Sequence, residues 1–253
     1  MRLDIFLSTQ YGFSRNRAQS LIESGIVFVN EKKVQKCAFL ISSSDIVHIE
    51  EDRRIHWVSR SAEKLLGFLE FMTKGGKPIQ IHNKICLDIG SSTWGFSQVL
   101  LEQWALSIDA VDVGTDQLHP NLRNESKIHS FEQTDIRLFR GNKWITYDII
   151  VCDASFISLI ELLPSILSFA DTETKIILLY KPQFEVGKEN LRKTGVPKDV
   201  KIIDKYLLQW EQVLYDNNCE ILRKEKSSLI GEAGNQEWIY FLEKRKKSIY
   251  LNI

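Results

Sequence analysis

Two rhythms of apolar and polar positions run along this chain, and the change between them divides it. Near the start, Leu3, Ile5, Phe6 and Leu7 predict a short helix. Ser14 then stands as an N-cap before a second helix, whose Ala18, Leu21 and Ile22 share one face. Gly25 ends that helix. Ile26 to Val29 reads as a strand, Asn30 to Lys33 as a turn, and Ile46 to Ile49 as a later strand. Glu50 to His56 has no periodicity. The expected organisation is a small unit over 1–50, a linker over 51–60, a body over 61–243 and a basic tail over 244–253.

The body has a longer rhythm. Ser61 is positioned to cap a helix carrying Leu65, Leu66, Phe68, Leu69 and Phe71. Apolar strand runs follow at Ile85–Leu87, Ser107–Val113, from Ile128, at Tyr147–Cys152 and at Ile176–Tyr180, with two more at Ile221–Lys226 and Trp238–Leu242. Helical spacing fills the gaps: from about Thr93, over Ile160–Phe169 with an interruption expected at Pro164, and over Val200–Tyr215. Near-continuous apolar strands alternating with helices predict an α/β fold with a parallel sheet covered on both faces. Spacing leaves the pairing of the last two strands open.

Composition changes this picture little. The 253 residues carry 33 basic and 33 acidic side chains, so any nucleic-acid surface must be local rather than a property of the whole chain. Cys37, Cys86, Cys152 and Cys219 are widely separated, which argues against a zinc site or a disulfide framework. The N-terminus lacks the apolar stretch of a signal peptide. No run approaches the about 18 apolar residues of a membrane span. The expectation is a cytoplasmic protein with no metal and no membrane partner.

Chemistry concentrates after Lys84. Ile85 to Leu87, closed by Asp88 and Gly90, leads through Ser91, Ser92, Thr93, Trp94 and Gly95 into a helix containing Phe96. A strand, a turn of small residues and a helix N-terminus present N–H groups and a positive dipole end to a ligand, as the Rossmann-like folds do. Asp112 ends the next strand roughly 20 residues on, where such folds place a ribose-binding acid. A tight strand–helix connection would look similar, but would not require that acid. The other strand ends carry Asp153 and Lys181, and Glu237 stands near the start of the last strand. A lysine with the ordinary pKa of about 10.4 is a poor base, but a second cation and partial burial lower it. Lys64, in the first turn of its helix, is a candidate for that cation, with Asp153 and Glu237 orienting the amines. A lysine base beside a cofactor turn suits methyl transfer to a hydroxyl.

The small unit, through Arg2-Leu3-Asp4, Ser14-Arg15, Ala18, Leu21-Ile22, Gly25, Val27 and Val29-Asn30, resembles the S-four-like RNA-binding domain. By charge count alone its bases read as scattered and solvated. The resemblance implies phosphate contacts for Arg2, Arg15, Arg17, Lys32, Lys33 and Lys36. The whole chain resembles the TlyA or haemolysin-A family, in which that domain precedes an FtsJ/RrmJ-like methyltransferase of the Rossmann-like class I type. The matching strings are Val58-Ser59-Arg60 with Lys64-Leu65, Leu87-Asp88-Ile89-Gly90, Ser92-Thr93, Gly95-Phe96, Ala110 to Gly114 and Gln117-Leu118. Asp153 to Leu159, Lys181-Pro-Gln-Phe-Glu185 and Gly234-Asn235 with Glu237 complete them.

This resemblance implies S-adenosylmethionine-dependent 2′-O-methylation of ribosomal RNA, with cytidine the expected base and ribosomal subunits the partner. It places a catalytic tetrad on Lys64, Asp153, Lys181 and Glu237. The cofactor would meet Asp88, Gly90, Ser91, Ser92, Thr93, Gly95, Phe96, Asp112, Val113, Gln133, Asp135 and Asp153, with Asp135 at the adenine, and RNA would also meet Arg60. Two strings depart from the family: Gly-Gly-Phe becomes Trp94-Gly95-Phe96, and Ser-Arg-Gly-Gly becomes Ser59-Arg60-Ser61-Ala62. Trp94 either crowds the methionine end of the cofactor or turns outward as a surface for an RNA base. A catalytically silent ribosome-binding protein is the alternative. A cytolysin, the less favoured further reading, has little support in the sequence, which shows no membrane span, secretion signal or strongly amphipathic basic helix.

Overall fold

The computed structural model describes residues 1–51, 57–117, 122, 125–141, 146–231 and 234–245. Residues 52–56 of the expected linker, Leu118 and the tail beyond Arg245 lie outside them. The chain divides into two compact units, 1–63 and 64–253.

In the first unit, helices α1 (Leu3–Tyr11) and α2 (Arg15–Glu23) pack against a three-stranded antiparallel sheet of β1 (Val27–Val29), β2 (Lys32–Lys33) and β3 (Val47–Ile49), in the order β2-β1-β3. Ser14 caps α2 by accepting the Arg17 N–H at 3.2 Å. Asn30 and Glu31 both take positive φ, giving the tight hairpin between β1 and β2. Asp4 is fully buried and ties α1 to α2, accepting from Arg2, Gln19 and the Ile5 N–H. Burial raises its pKa, but these donors outweigh that and hold it at about 2.

The second unit begins in the first turn of α3 (Ser61–Lys74). Ser61 is the first residue of α3 rather than its cap, because the Glu63 N–H already bonds to the Arg60 carbonyl. The elements that follow are β4 (Ile85–Ile89), α4 (Gly95–Glu102), β5 (Ser107–Val111), β6 (Ile128–Phe131), β7 (Ile149–Cys152), α5 (Leu159–Ser168), β8 (Lys175–Tyr180), α6 (Pro182–Glu185), α7 (Val200–Asp216), β9 (Cys219–Lys226) and β10 (Trp238–Lys244).

The seven strands form one sheet in the order β6-β5-β4-β7-β8-β10-β9. β4 to β8 are parallel, whereas β10 runs antiparallel between β8 and β9. The pairing of the last two strands, which spacing leaves open, is thereby antiparallel: fewer residues separate β9 from β10 than the dozen or so that a parallel crossover takes. One face, with Leu87, Ile150, Leu178 and Tyr240, packs against Leu163 and Ile166 of α5 and Trp210 and Leu214 of α7. On the other face Ser97 of α4 bonds to Asp88, and Phe68 of α3 meets the ring of Phe241.

Pro164 does not interrupt α5, which runs continuously from Leu159 to Ser168. Leu162, Leu163, Ile166 and Leu167 are buried on both sides of it, and packing outweighs the one backbone hydrogen bond that a proline forgoes.

Candidate active site

Strand order reverses between β4 and β7, which opens a crevice at their carboxyl ends. The turn after β4 fills this place. Gly90 has φ +74°, and a Cβ there would lie 2.8 Å from Ala154 Cα and 2.9 Å from Ala154 N. Only glycine lets the turn pass so close to the chain after β7. Asp112, at the end of β5, accepts the Ser92 N–H at 2.8 Å and the Gly114 N–H at 2.7 Å, so it braces two loops at once.

Ser91 is buried, Ser92 exposed and Thr93 half-buried, and Gly95 and Phe96 form the buried first turn of α4. Trp94 caps α4 in a left-handed conformation (φ 70°) and is 2% exposed. The outward orientation considered above does not occur. Val113 is exposed. Gln133, at φ 52°, donates its N–H to the Gly114 carbonyl. The Asp135 carboxylate is held by Arg137 in a bidentate pair, with bonds of 2.6 to 3.0 Å. That pairing leaves it less open to an adenine than the sequence implies.

Asp88 lies under the turn, fully buried. One oxygen accepts from Ser97 Oγ at 2.6 Å; the other, Oδ1, has no partner among the described residues. Burial lifts its pKa from the ordinary 3.8 to about 7, against the pull of the Ser97 hydrogen bond and with help from the charges of Asp153 and Asp112. Between about pH 4 and 7 the folded chain keeps a proton that the unfolded chain has released, so this contribution to stability is complete at low pH and lost as pH rises through 7. Denaturant titrations should therefore show the wild type losing stability relative to Asp88→Asn across that window, and running parallel to it above about pH 8. Curves parallel throughout would mean that Asp88 is ionised in the native state.

The two lysines and two acids picked from the strand ends come together as two ion pairs. Lys181 Nζ lies 2.6 Å from Asp153 Oδ1 and also donates to the Asp153 carbonyl at 3.1 Å and to Ser155 Oγ at 2.7 Å. Lys64 Nζ donates to Glu237 Oε2 at 2.6 Å. All four residues are at most 11% exposed in their side chains. The β8–β10 register pairs Tyr180 with Trp238, which sets Glu237 opposite Lys181. An antiparallel β10 is what brings the start of that strand to the end of β8.

Several neighbours were not singled out from sequence. Ser155 completes the lysine's contacts. Gln183 donates to Glu237 Oε1 at 3.4 Å. Phe156 is 90% exposed at a left-handed φ of 64°, with its ring 5.2 Å from that of Phe184, which in turn lies 5.9 Å from Lys181 Nζ. A large apolar side chain held outward on strained backbone is a functional signal, but it appears only once exposure and φ are known. Sequence could have pointed to Gln183 through its place beside Lys181.

In the first unit, Arg15, Lys32, Lys33 and Lys36 are exposed, and Arg2 and Arg60 are half-buried. Arg17 differs from the expectation: it is 5% exposed and pairs with Glu63 at 3.2 Å. It lies third in α2, on the inward side with Ala18 and Leu21. Among the described residues no cluster of His, Cys, Asp and Glu is arranged to hold a metal, and no helix is long and apolar enough to cross a membrane.

Known proteins share this pair of domains. Residues 57–244 match the FtsJ-like methyltransferase family, and residues 1–47 match the S4 domain. A 23S rRNA (cytidine-2′-O)-methyltransferase, TlyA of Campylobacter jejuni, is 42% identical over 95% of this chain and 98% of its own length. Hemolysin A of Brachyspira hyodysenteriae is 36% identical over 94% of this chain and 98% of its own. The solved structure of a Streptococcus thermophilus protein named as a hemolysin superposes with a TM-score of 0.73 at 28% identity, covering 97% of this chain and 89% of that one. With an S4 domain at its N-terminus, the chain therefore belongs to the TlyA and haemolysin A family of FtsJ-like methyltransferases.

Proposed function

We propose that this protein methylates the 2′-hydroxyl of a ribosomal RNA nucleotide, with cytidine the expected base and S-adenosylmethionine the donor, in the cytoplasm. The observation that carries the reading is the buried Lys181–Asp153 pair at the switch point, beside the Gly90 turn and opposite the Lys64–Glu237 pair. The turn suits a cofactor: Gly90 lets it pass close to the chain after β7, and beneath it Asp88 Oδ1 is a buried oxygen without a partner among the described residues. Asp88, Gly90 to Thr93, Gly95, Phe96, Asp112, Val113, Gln133 and Asp135 would hold it. When bound, the cofactor supplies an electrophilic methyl group on a sulfonium sulfur.

Removing the hydroxyl proton falls to Lys181. In its neutral form Nζ accepts that proton, and the Asp153 and Ser155 oxygens around it then hold the resulting ammonium. Lys64, fixed by Glu237, adds positive charge that favours the developing alkoxide. Phe156 offers its ring to a base lifted out of its stack beside the lysine. Arg15, Lys32, Lys33, Lys36, Arg2 and Arg60 contact phosphates and set position rather than sequence.

A buried tryptophan at a left-handed position in the cofactor turn favours one other reading, a silent RNA-binding protein. Calorimetric titration with S-adenosylmethionine, followed by methyl transfer to unmodified large ribosomal subunits, tests both. Micromolar binding and transfer by the unaltered chain are expected. Binding that appears only in Trp94→Gly would establish the silent reading instead.

A further inference from the structure

Two segments carry the lysine base and the groups around it: the loop from Asp153 to Leu159, and the turn from Lys181 to Glu185. Near the lysine they meet through the Asp153 and Ser155 contacts and the Phe156–Phe184 ring pair. At the far end a single carboxylate closes them. Glu185 accepts from Ser158 Oγ at 2.5 Å and from the Leu159 N–H at 2.8 Å. It thereby caps α5 from another part of the chain, although Ser158 already caps it locally through the Ile160 N–H at 3.1 Å. A helix with its own cap has little need of a second, half-buried acid, whose burial raises its pKa. Glu185 is instead placed to lock the two segments in register, and with them Lys181, Asp153 and the strained Phe156.

We infer that Glu185 is a positioning residue for methyl transfer, closing a clamp that fixes the lysine base and the Phe156 ring relative to one another. This rests on the function proposed above. A clamp loosened at its far end would misplace the base without removing any group that touches cofactor or RNA. A displacement of about 1 Å at a reacting centre lowers turnover on the order of a hundredfold. Affinity for either ligand would change little.

The test compares Glu185→Ala and Glu185→Gln with Asp199→Ala, which removes the cap of helix α7, where Asp199 accepts the Lys201 N–H at 3.0 Å. In Glu185→Ala, kcat on large ribosomal subunits should fall roughly tenfold to a hundredfold, with KM for RNA and calorimetric affinity for S-adenosylmethionine within about twofold of wild type. Glu185→Gln keeps an oxygen for the Leu159 N–H and should restore most of the rate; Asp199→Ala should lose melting temperature but not kcat. A kcat for Glu185→Ala no lower than that of Asp199→Ala overturns the inference, as does a glutamine variant no better than alanine. If the alanine variant does not fold, Glu185→Asp, one methylene short, should lose kcat where Glu185→Gln does not, and equal rates overturn it. A wild type that transfers no methyl group would sink the proposed function itself, an outcome visible without any variant.

Discussion

Lys181→Ala should lower methyl transfer by at least about a thousandfold while the protein still binds S-adenosylmethionine. General base catalysis by a positioned side chain contributes about 10²–10⁴ in rate, and no described neighbour offers a second base in the same place. Three contacts fix Nζ: the Asp153 carboxylate at 2.6 Å, the Asp153 carbonyl at 3.1 Å and Ser155 Oγ at 2.7 Å. Alanine leaves Asp153 buried without its partner, so some stability is lost, on the order of 3–5 kcal/mol if the carboxylate stays charged. The measurement must therefore pair the rate with a melting curve and a cofactor titration. Transfer near the wild-type rate in the folded variant would rule out Lys181 as the base. A rate lost together with cofactor affinity would assign the lysine to binding.

Gly90→Ala should be the most damaging single methyl group added anywhere in the cofactor turn. The new carbon meets backbone, Ala154 Cα at 2.8 Å and Ala154 N at 2.9 Å, so no side chain can swing aside. Left-handed φ adds about 1–2 kcal/mol for any residue with a Cβ, and overpacking about 1–3 kcal/mol. Together these predict a loss of about 2–5 kcal/mol, or roughly 5–15 °C in melting temperature for a domain of this size. Cofactor affinity should fall with it, because the turn can relieve the clash only by moving away from Asp153. Gly76→Ala supplies the control: its φ is +72°, but nothing lies within 4 Å, so it carries the backbone cost alone. Equal melting shifts for the two variants would show that close approach at Gly90 is not what the turn depends on.

Much of this site was legible in the chain because its parts obey local rules. A strand that is buried on both faces must end where it meets solvent, so an acid or a lysine directly after apolar residues marks a strand end, and Asp112, Asp153 and Lys181 all did. Ser14 and the two positive-φ residues of the first hairpin likewise follow from what a helix start and a tight turn require. Glu237 was legible only in part. It precedes a strand rather than following one, and it reaches the site because β10 runs against its neighbours.

Other features could not be read from order alone. The choice of which carboxylate serves which lysine, Glu237 for Lys64 and Asp153 for Lys181, joins residues 173 and 28 positions apart. Arg17 looked like its neighbour Arg15, yet the helical rotation of two residues turned it inward to Glu63. Trp94 left two orientations open, and burial settled against the exposed one. Phe156 resembles any apolar loop residue until its place in the fold is known.

The sequence by itself determined the elements, their α/β alternation, the cofactor-type turn and the residues available for chemistry, because periodicity, caps and strand ends depend on neighbours a few positions away. Only the tertiary structure decided the antiparallel return of β10, the pairing of the two lysines and the clamp closed by Glu185. Those depend on contacts between distant segments, and burial makes each of them costly to leave unsatisfied.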